Sequence, residues 1–219
     1  MQNVKQPKLV REHVIKDCSV KLFEGDVAMV PAAAIICPTN SNLSRNSGMT
    51  EYLIDKAGPR VQYEKNEWRN QNEPLAPGEI LVTSAGNLSA NHLFHCCIPE
   101  CNKNNPEPQL RLFTTKVIEK CEEINAGTIT IPCLPREAYG FLPENCAFCY
   151  LSIILEYVKS SPVHLIREFK LVTIDKNATA VFEEELNRRF GIVEKKSLFG
   201  FMKKKKVAKR TEDFDIELK

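Results

Sequence analysis

Apolar and polar residues follow two different periods along the chain. Residues 20–24 alternate at every second position and predict a half-buried strand, which the turn-forming pair Gly25-Asp26 ends. Residues 32–37 are apolar without interruption, which is typical of a strand covered on both faces of a sheet. Four more strands are predicted, at residues 78–83, 93–97, 128–131 and 170–174.

Between these strands, apolar residues recur every three or four positions. Residues 109–124 have this helical spacing and end near Gly127, and three further helices are predicted at residues 49–56, 145–158 and 179–190. Strands that alternate with helices predict an α/β fold, here a three-layer α-β-α sandwich around a mixed, largely parallel central sheet. Ligands in such folds bind beyond the carboxyl ends of the strands.

Length and composition favour one domain with appendages. A chain of 219 residues with 43% apolar content can bury one full-sized core, and two would both be undersized. We predict a polar leader at residues 1–18, a domain at 19–190 and a basic, flexible tail at 191–219. The leader is expected to form either an extra strand or a disordered segment, and the sequence leaves both open.

Charge is distributed unevenly along the chain. Residues 187–219 carry 11 Lys and Arg against 5 Asp and Glu, whereas residues 1–186 carry 19 against 23. A nucleic-acid footprint spread over the whole domain is therefore not expected. The cluster from Lys203 to Arg210 follows Phe199, Phe201 and Met202, and three roles stay open for it: a nuclear-import signal, contact with a protein or an acidic surface, and a solvated linker.

The cysteines and the N-terminus indicate the compartment. The nine cysteines are an odd number, and the N-terminal stretch carries charges throughout with no apolar run of signal-peptide length. We therefore expect reduced thiols and an intracellular protein of the cytoplasm or nucleus, without a membrane span.

The loops after the predicted strands resemble those of the macrodomain family over about residues 20–187. The strand ending in Gly25-Asp26 is similar to the family's first strand, whose aspartate holds the adenine amino group. The buried strand runs into Cys37-Pro38-Thr39-Asn40, where the family has Asn-Ala-Ala-Asn. The resemblance implies that Asp26 and its neighbour Val27 contact adenine and that Asn40 contacts the distal ribose.

Later motifs extend the resemblance in the same order. Gly48 stands in a glycine-containing loop before a helix that ends in Ala57-Gly58, and the segments 78–83 and 93–95, with Pro99 beyond, match two further family strands. The segment from Pro132 to Phe141 resembles the family's second phosphate loop. We predict ligand contacts from Gly48, Arg136, Ala138, Tyr139, Gly140 and Phe141, with the backbones near Gly48 and Gly140 at the diphosphate.

Physical chemistry supports the same assignment. A diphosphate needs backbone N–H groups that converge on it, so small residues must let the backbone approach. An adenine needs an acceptor for its amino group and an apolar face to lie on, and Asp26 with Ile174 or Phe182 fits those roles. A turn or helix cap is an equal alternative for Asp26 when the residues are considered without the resemblance.

Three positions depart from the family pattern. In the hydrolase branch an aspartate at the start of the helix positions the attacking water, and Thr50 stands there, which cannot act as a carboxylate base. Glu51, one residue later, is the remaining catalytic candidate. Glu137 replaces the first glycine of the second phosphate loop and would repel a diphosphate, although Arg136 can take over the anion contact. Cys37 replaces the first asparagine and removes a hydrogen bond near the ribose.

A cluster of histidines and cysteines also permits a zinc site or a Cys-His nucleophile, but core packing is the favoured interpretation, since neighbouring side chains on a strand face opposite ways. The residues concerned are His92, His95, Cys96, Cys97, Cys101, Cys146 and Cys149. We therefore predict no metal site and no cofactor.

Three hypotheses about function follow from the sequence. The first is a non-catalytic module that binds free ADP-ribose or ADP-ribosylated proteins. The second is an ADP-ribosyl hydrolase that uses Glu51 or a substrate-assisted water. The third is a degenerate macrodomain that acts as a protein-interaction scaffold, for which Glu137 is the argument.

Overall fold

A computed structural model describes residues 6–44, 48–160 and 163–191. Within these residues, seven strands form one sheet in the order β1-β2-β7-β6-β3-β5-β4. The strands are β1 (Lys8–Ile15), β2 (Cys18–Glu24), β3 (Ala32–Thr39), β4 (Ile80–Ser84), β5 (Ala90–Cys97), β6 (Thr128–Pro132) and β7 (Glu168–Thr173). The central strands β2, β7, β6, β3 and β5 run parallel, and the edge strands β1 and β4 pair antiparallel. The predicted mixed, largely parallel sheet is confirmed.

Helices cover both faces of the sheet. They are α1 (Gly48–Ala57), α2 (Pro59–Gln71), α3 (Glu107–Glu123), α4 (Arg136–Tyr139), α5 (Pro143–Ser160) and α6 (Lys176–Phe190). The first two pack against β3 and β4, whereas α3, α5 and α6 pack on one another on the opposite face. This is the predicted three-layer sandwich. None of the helices in the described residues combines the length and the apolar content needed to cross a bilayer.

Strand β3 explains why its sequence is continuously apolar. Ile35 and Cys37 belong to the smaller core under α1 and α2, whereas Ala34 and Ile36 belong to the larger core under α3, α5 and α6. Successive side chains of a strand point to opposite faces, so a strand covered on both sides needs apolar residues at every position. The strand is therefore held from both sides, which fixes the position of Asn40 at its end.

The structure describes part of the predicted leader but not the predicted basic tail. Within the leader, β1 forms an additional strand that pairs with β2 from Lys8 opposite Glu24 to Ile15 opposite Cys18. Of the two alternatives for this segment, the structure therefore shows the strand. The tail interpretation, including the cluster from Lys203 to Arg210, lies outside the described residues, and the predicted domain boundaries stay predictions.

Candidate functional site

The carboxyl ends of the parallel strands gather most of the predicted site residues at one edge of the sheet. Strand β2 ends before Gly25-Asp26, β7 before Ile174 and β3 before Asn40. The Gly25 N–H donates to the Thr173 carbonyl at 2.8 Å, which holds the ends of β2 and β7 side by side. Between β7 and β3, β6 leads into α4. We call the surface that these loops line at the edge of the sheet the cleft, and its two ends differ in how their polar groups are hydrogen-bonded.

At the first end, Asp26 caps a short 3-10 turn formed by Val27–Met29. Its Oδ1 atom accepts from the Ala28 N–H at 2.9 Å, and its Oδ2 atom accepts from the hydroxyl of Tyr52. The helix-cap alternative for Asp26 is therefore what the structure shows, and a contact with adenine remains a prediction. Val27 is buried in the smaller core, so its side chain is part of the scaffold.

Two residues were predicted as an apolar face for adenine, and the structure separates them. Ile174 is 79% exposed directly after β7, next to the Gly25-Asp26 turn. Phe182 is 1% exposed and packs in the larger core, because its position on α6 faces the sheet. The role of Ile174 as an apolar face for adenine therefore stays a prediction, whereas the same role for Phe182 is wrong.

Asn40 is engaged within its own loop. Its Nδ2 atom donates to the Ser44 hydroxyl at 2.6 Å, and its Oδ1 atom accepts from the Ser44 N–H at 3.0 Å. Asparagine commonly closes turns of this kind, because its short amide matches backbone hydrogen-bond geometry. These two bonds use one of the two Nδ2 hydrogens and one of the two Oδ1 lone pairs, so the amide can also bond a ribose hydroxyl.

Helix α1 begins at the predicted phosphate loop. Gly48 is its first residue, exposed, and no atom within 4 Å would meet a Cβ added there. Glu51 is exposed in the first turn of the helix. Thr50 is fully buried; its hydroxyl donates to the Pro38 carbonyl at 2.5 Å and lies 3.3 Å from the Tyr139 hydroxyl. The position that carries the aspartate in the hydrolase pattern is therefore filled by a neutral side chain bound to the backbone.

At the second end, the predicted phosphate loop forms the helical turn α4. The N–H groups of Ala138 and Tyr139 donate to the Pro135 carbonyl at 3.2 and 3.0 Å, and the Gly140 N–H donates to the Arg136 carbonyl at 2.7 Å. In this conformation these N–H groups are bonded within the turn, and the ligand contacts predicted for Ala138, Tyr139 and Gly140 stay predictions. Arg, Glu and Ala favour helix, so the replacement of a glycine by Glu137 promotes closure of the turn.

Arg136 and Gly140 lie at the two ends of α4 and line the same cavity. Arg136 lines a surface cavity of about 310 Å³ together with Lys103, Cys101 and Gly140. Gly140 adopts a φ of 81°, and a Cβ there would lie 3.2 Å from the Cβ of Cys101. Glycine is therefore required by the turn and by the close approach of the loop between β5 and α3, which contains Cys101.

Phe141 was predicted at the ligand, which stays a prediction, and the structure places its side chain in the core. Its side chain is 0% exposed and belongs to the larger core. A fully buried ring stabilises the fold and offers no surface to a ligand.

The histidines and cysteines of the zinc alternative are divided between different parts of the fold. Cys96 packs in the larger core and Cys97 in a small cluster with Leu75 and Leu81. His95 is fully buried with Nε2 at 3.0 Å from the Thr83 hydroxyl; burial, with the Lys65 ammonium second, lowers the His95 pKa to about 3. The described residues contain no group of three or more His, Cys, Asp or Glu placed to hold a metal ion. His95, Cys96, Cys97, Cys146 and Cys149 are buried, whereas His92 and Cys101 are partly exposed.

Sequence reasoning missed Tyr52. It lies on α1, is 37% exposed, and donates its hydroxyl to Asp26 across 26 residues of chain. A single tyrosine on a helix carries no local signal of such a contact, because the partner is brought in by the sheet topology. The structure therefore adds one residue to the site.

The sequence model of the macro domain family matches residues 36–149, just over half of the chain. The chain belongs to the macro domain family. An uncharacterized protein of Sulfurisphaera tokodaii is 30% identical over 63% of this chain and 75% of its own length. An ADP-ribose glycohydrolase of Archaeoglobus fulgidus is 29% identical over 80% of this chain and 97% of its own length.

Solved structures support the same macro domain fold. The Oceanobacillus iheyensis macrodomain with ADP is similar at a TM-score of 0.75 and 21% identity, and the alignment covers 82% of this chain and 95% of that one. At this level of identity the likeness concerns the fold alone. Site residues of this macro domain therefore have to be argued from its own geometry.

Proposed function

We propose that this macro domain is an ADP-ribose-binding module that recognises free ADP-ribose or ADP-ribosylated protein and does not hydrolyse it. The observation that carries the proposal is the convergence of Asp26, Asn40 and α4 at the carboxyl edge of the parallel strands. Ligands of α/β sheets bind at this edge. Two similar Oceanobacillus iheyensis macrodomain structures hold ADP and ADPR, which supports the same class of ligand here.

The end of the cleft at β2 suits an adenine base. Asp26 supplies an acceptor for an exocyclic amine, and its orientation is held by the Ala28 N–H. Ile174 supplies an exposed apolar side chain beside it. A base bound in this way combines one oriented hydrogen bond with apolar contact, which is the usual composition of a nucleotide pocket.

The diphosphate and ribose end requires more adjustment. The N–H groups of Ala138, Tyr139 and Gly140 donate to carbonyls within the α4 turn. The Asn40 amide is already hydrogen-bonded to Ser44. The N-terminus of α1 at Gly48 is exposed and attracts anions. We therefore expect a weaker affinity than in a macro domain whose second loop is an open glycine cradle.

The absence of hydrolysis is argued from Thr50. Its hydroxyl is buried and donated to the Pro38 carbonyl, so it can neither take a proton from water nor carry the negative charge of a base. The pattern of the hydrolase branch requires a carboxylate at this position.

A second candidate function is ADP-ribosyl hydrolysis. The Archaeoglobus fulgidus relative named ADP-ribose glycohydrolase favours it, since the alignment covers nearly all of that protein. Glu51 is the carboxylate that would act as base, because it is exposed in the first turn of α1. A third candidate, a protein-interaction scaffold, is favoured by the internally bonded α4 turn.

Calorimetry with ADP-ribose tests the proposal first. We expect micromolar binding by the wild-type chain and a loss of at least about tenfold in Asp26→Asn, which keeps a capping oxygen but adds a donor that opposes the amine. Asp17→Asn, in the turn before β2 at the far end of the sheet, is the control and should bind like wild type. No heat at millimolar ligand would leave only the scaffold.

A turnover assay on ADP-ribosylated protein separates the two ligand-using functions. We expect no release of ADP-ribose above the uncatalysed rate. If release is seen, Glu51→Gln should abolish it with binding retained, whereas Glu67→Gln, an exposed glutamate on α2, should not. That pattern would contradict the non-catalytic proposal and establish the hydrolase.

A further inference from the structure

Tyr52 links two segments at the edge of the sheet, helix α1 and the turn after β2, which are separated in the chain by β3. It lies on α1, and Asp26 lies at the end of β2. The phenol hydroxyl donates to Asp26 Oδ2, and the ring remains 37% exposed. The contact therefore belongs to the surface of the cleft and not to the core.

The two oxygens of Asp26 have different tasks. Oδ1 accepts from the Ala28 N–H at 2.9 Å and caps the 3-10 turn. Oδ2 accepts from Tyr52 and keeps a second lone pair, since each carboxylate oxygen can accept two hydrogen bonds. A ligand donor therefore meets Asp26 at an oxygen that already has the phenol beside it.

The phenol is restricted in what it can do there. Burial, followed by the hydrogen bond to Asp26, raises the pKa of Tyr52 to about 12, so the hydroxyl keeps its proton at neutral pH. That proton is committed to Asp26, and the phenol oxygen is left with lone pairs only. The Lys56 ammonium lies 5.5 Å from the ring centroid and helps to hold the ring in place.

We infer that Tyr52 and Asp26 together form an amine-selective site for the base of the ligand, in which Tyr52 is a specificity-determining residue. This inference rests on the proposed ADP-ribose function. An exocyclic amine can share one of its hydrogens between Asp26 Oδ2 and the Tyr52 oxygen, because these two atoms lie within hydrogen-bond distance of each other. A carbonyl oxygen at the same place meets two acceptors and is repelled.

Calorimetry of Tyr52→Phe with two ligands tests the inference. ADP-ribose carries a 6-amino group, and its purine-riboside analogue, which has hydrogen at position 6, is otherwise the same molecule. We expect Tyr52→Phe to weaken ADP-ribose binding roughly fivefold and to change binding of the purine analogue less than twofold, because only the amine can donate to the phenol. The matched control is Tyr63→Phe on α2, an exposed tyrosine, which should change neither affinity.

Three other results would contradict either the proposed function or the role of Tyr52. Wild-type chain that does not bind ADP-ribose overturns the proposed function and this inference with it. Binding by wild type that is unchanged or tighter in Tyr52→Phe overturns the inference alone, and tighter binding identifies the phenol as a competitor for Asp26. An equal loss with both ligands shows that Tyr52 only supports the fold of the cleft, which also overturns its role in specificity.

Discussion

The two ends of the cleft use their polar groups differently. At the β2 end, Asp26 and Tyr52 bond to each other but remain partly exposed, and Ile174 stands open beside them. At the α4 end, the backbone donors are used inside a helical turn, Thr50 is buried, and Phe141 is part of the core. The polar side chains of the first end are partly exposed, whereas most of the groups described at the second end are buried or bonded within the turn.

The two ends correspond to two kinds of ligand recognition that depend on different groups of the protein. A base is recognised by a few oriented side chains, which tolerate substitutions elsewhere. A diphosphate is recognised by several converging N–H groups, and one non-glycine residue such as Glu137 is enough to favour a conformation that uses them internally. We therefore expect the two ends to respond differently to mutation.

The largest expected effect is on stability, at the closed end. Phe141→Ala should lower the free energy of unfolding by about 3–5 kcal/mol, because it deletes a fully buried ring from the larger core. Urea denaturation followed by circular dichroism measures this loss. A ring that contacted ligand at a surface would cost far less.

The neighbouring residue supplies the control. Leu142 is 39% exposed, so Leu142→Ala should cost about 1 kcal/mol or less. Equal losses in the two variants would mean that the loop and not the core determines the cost, and the contrast between the two ends would then be wrong.

The fold was predictable because its signals are local. Helical spacing located α3, α5 and α6, and the uninterrupted apolar run of β3 indicated a strand buried on both faces. The strand at Lys8–Ile15 was left open, since it lies at the edge of the sheet and mixes charged with apolar residues. An edge strand needs apolar residues on fewer positions, so its pattern is weaker.

The site was predictable only in part, because its details depend on contacts between distant segments. The sequence placed Asp26, Asn40 and Ile174 after strands, and the sheet brings those strand ends to one edge. It did not indicate that Tyr52 would reach Asp26 or that Thr50 would bond the Pro38 carbonyl. Such pairings are decided by packing after the topology is set.

A smaller effect on stability is expected from the hydroxyl of Thr50. Thr50→Val keeps the shape of the side chain but leaves the Pro38 carbonyl without this donor and removes the contact with Tyr139. We expect a loss of about 1–2 kcal/mol in the free energy of unfolding, measured by the same denaturation. The variant tests whether this hydroxyl stabilises the closed end.

Thr114→Val is the matched control for that variant. Thr114 is also fully buried, and its hydroxyl donates to the Leu110 carbonyl one turn back in α3 at 2.8 Å. That carbonyl belongs to the helix interior, where the backbone supplies its own donor, so the loss should be smaller. A larger loss of unfolding free energy in Thr114→Val than in Thr50→Val would contradict the expectation that the Thr50 hydroxyl stabilises the closed end.

The smallest expected effect is at the open end and concerns affinity. Ile174→Ser should leave the free energy of unfolding within about 0.5 kcal/mol of wild type, since the side chain is 79% exposed. ADP-ribose binding should weaken about threefold, because partial cover of an apolar side chain by a base is worth a fraction of its full burial. Calorimetry measures the affinity, and Val14→Ser on β1, 70% exposed, is the control that should not change it. If Ile174→Ser destabilised the fold without weakening the ligand, the β2 end would be structural like the α4 end. The distinction between an open and a closed half of the cleft would then have to be given up.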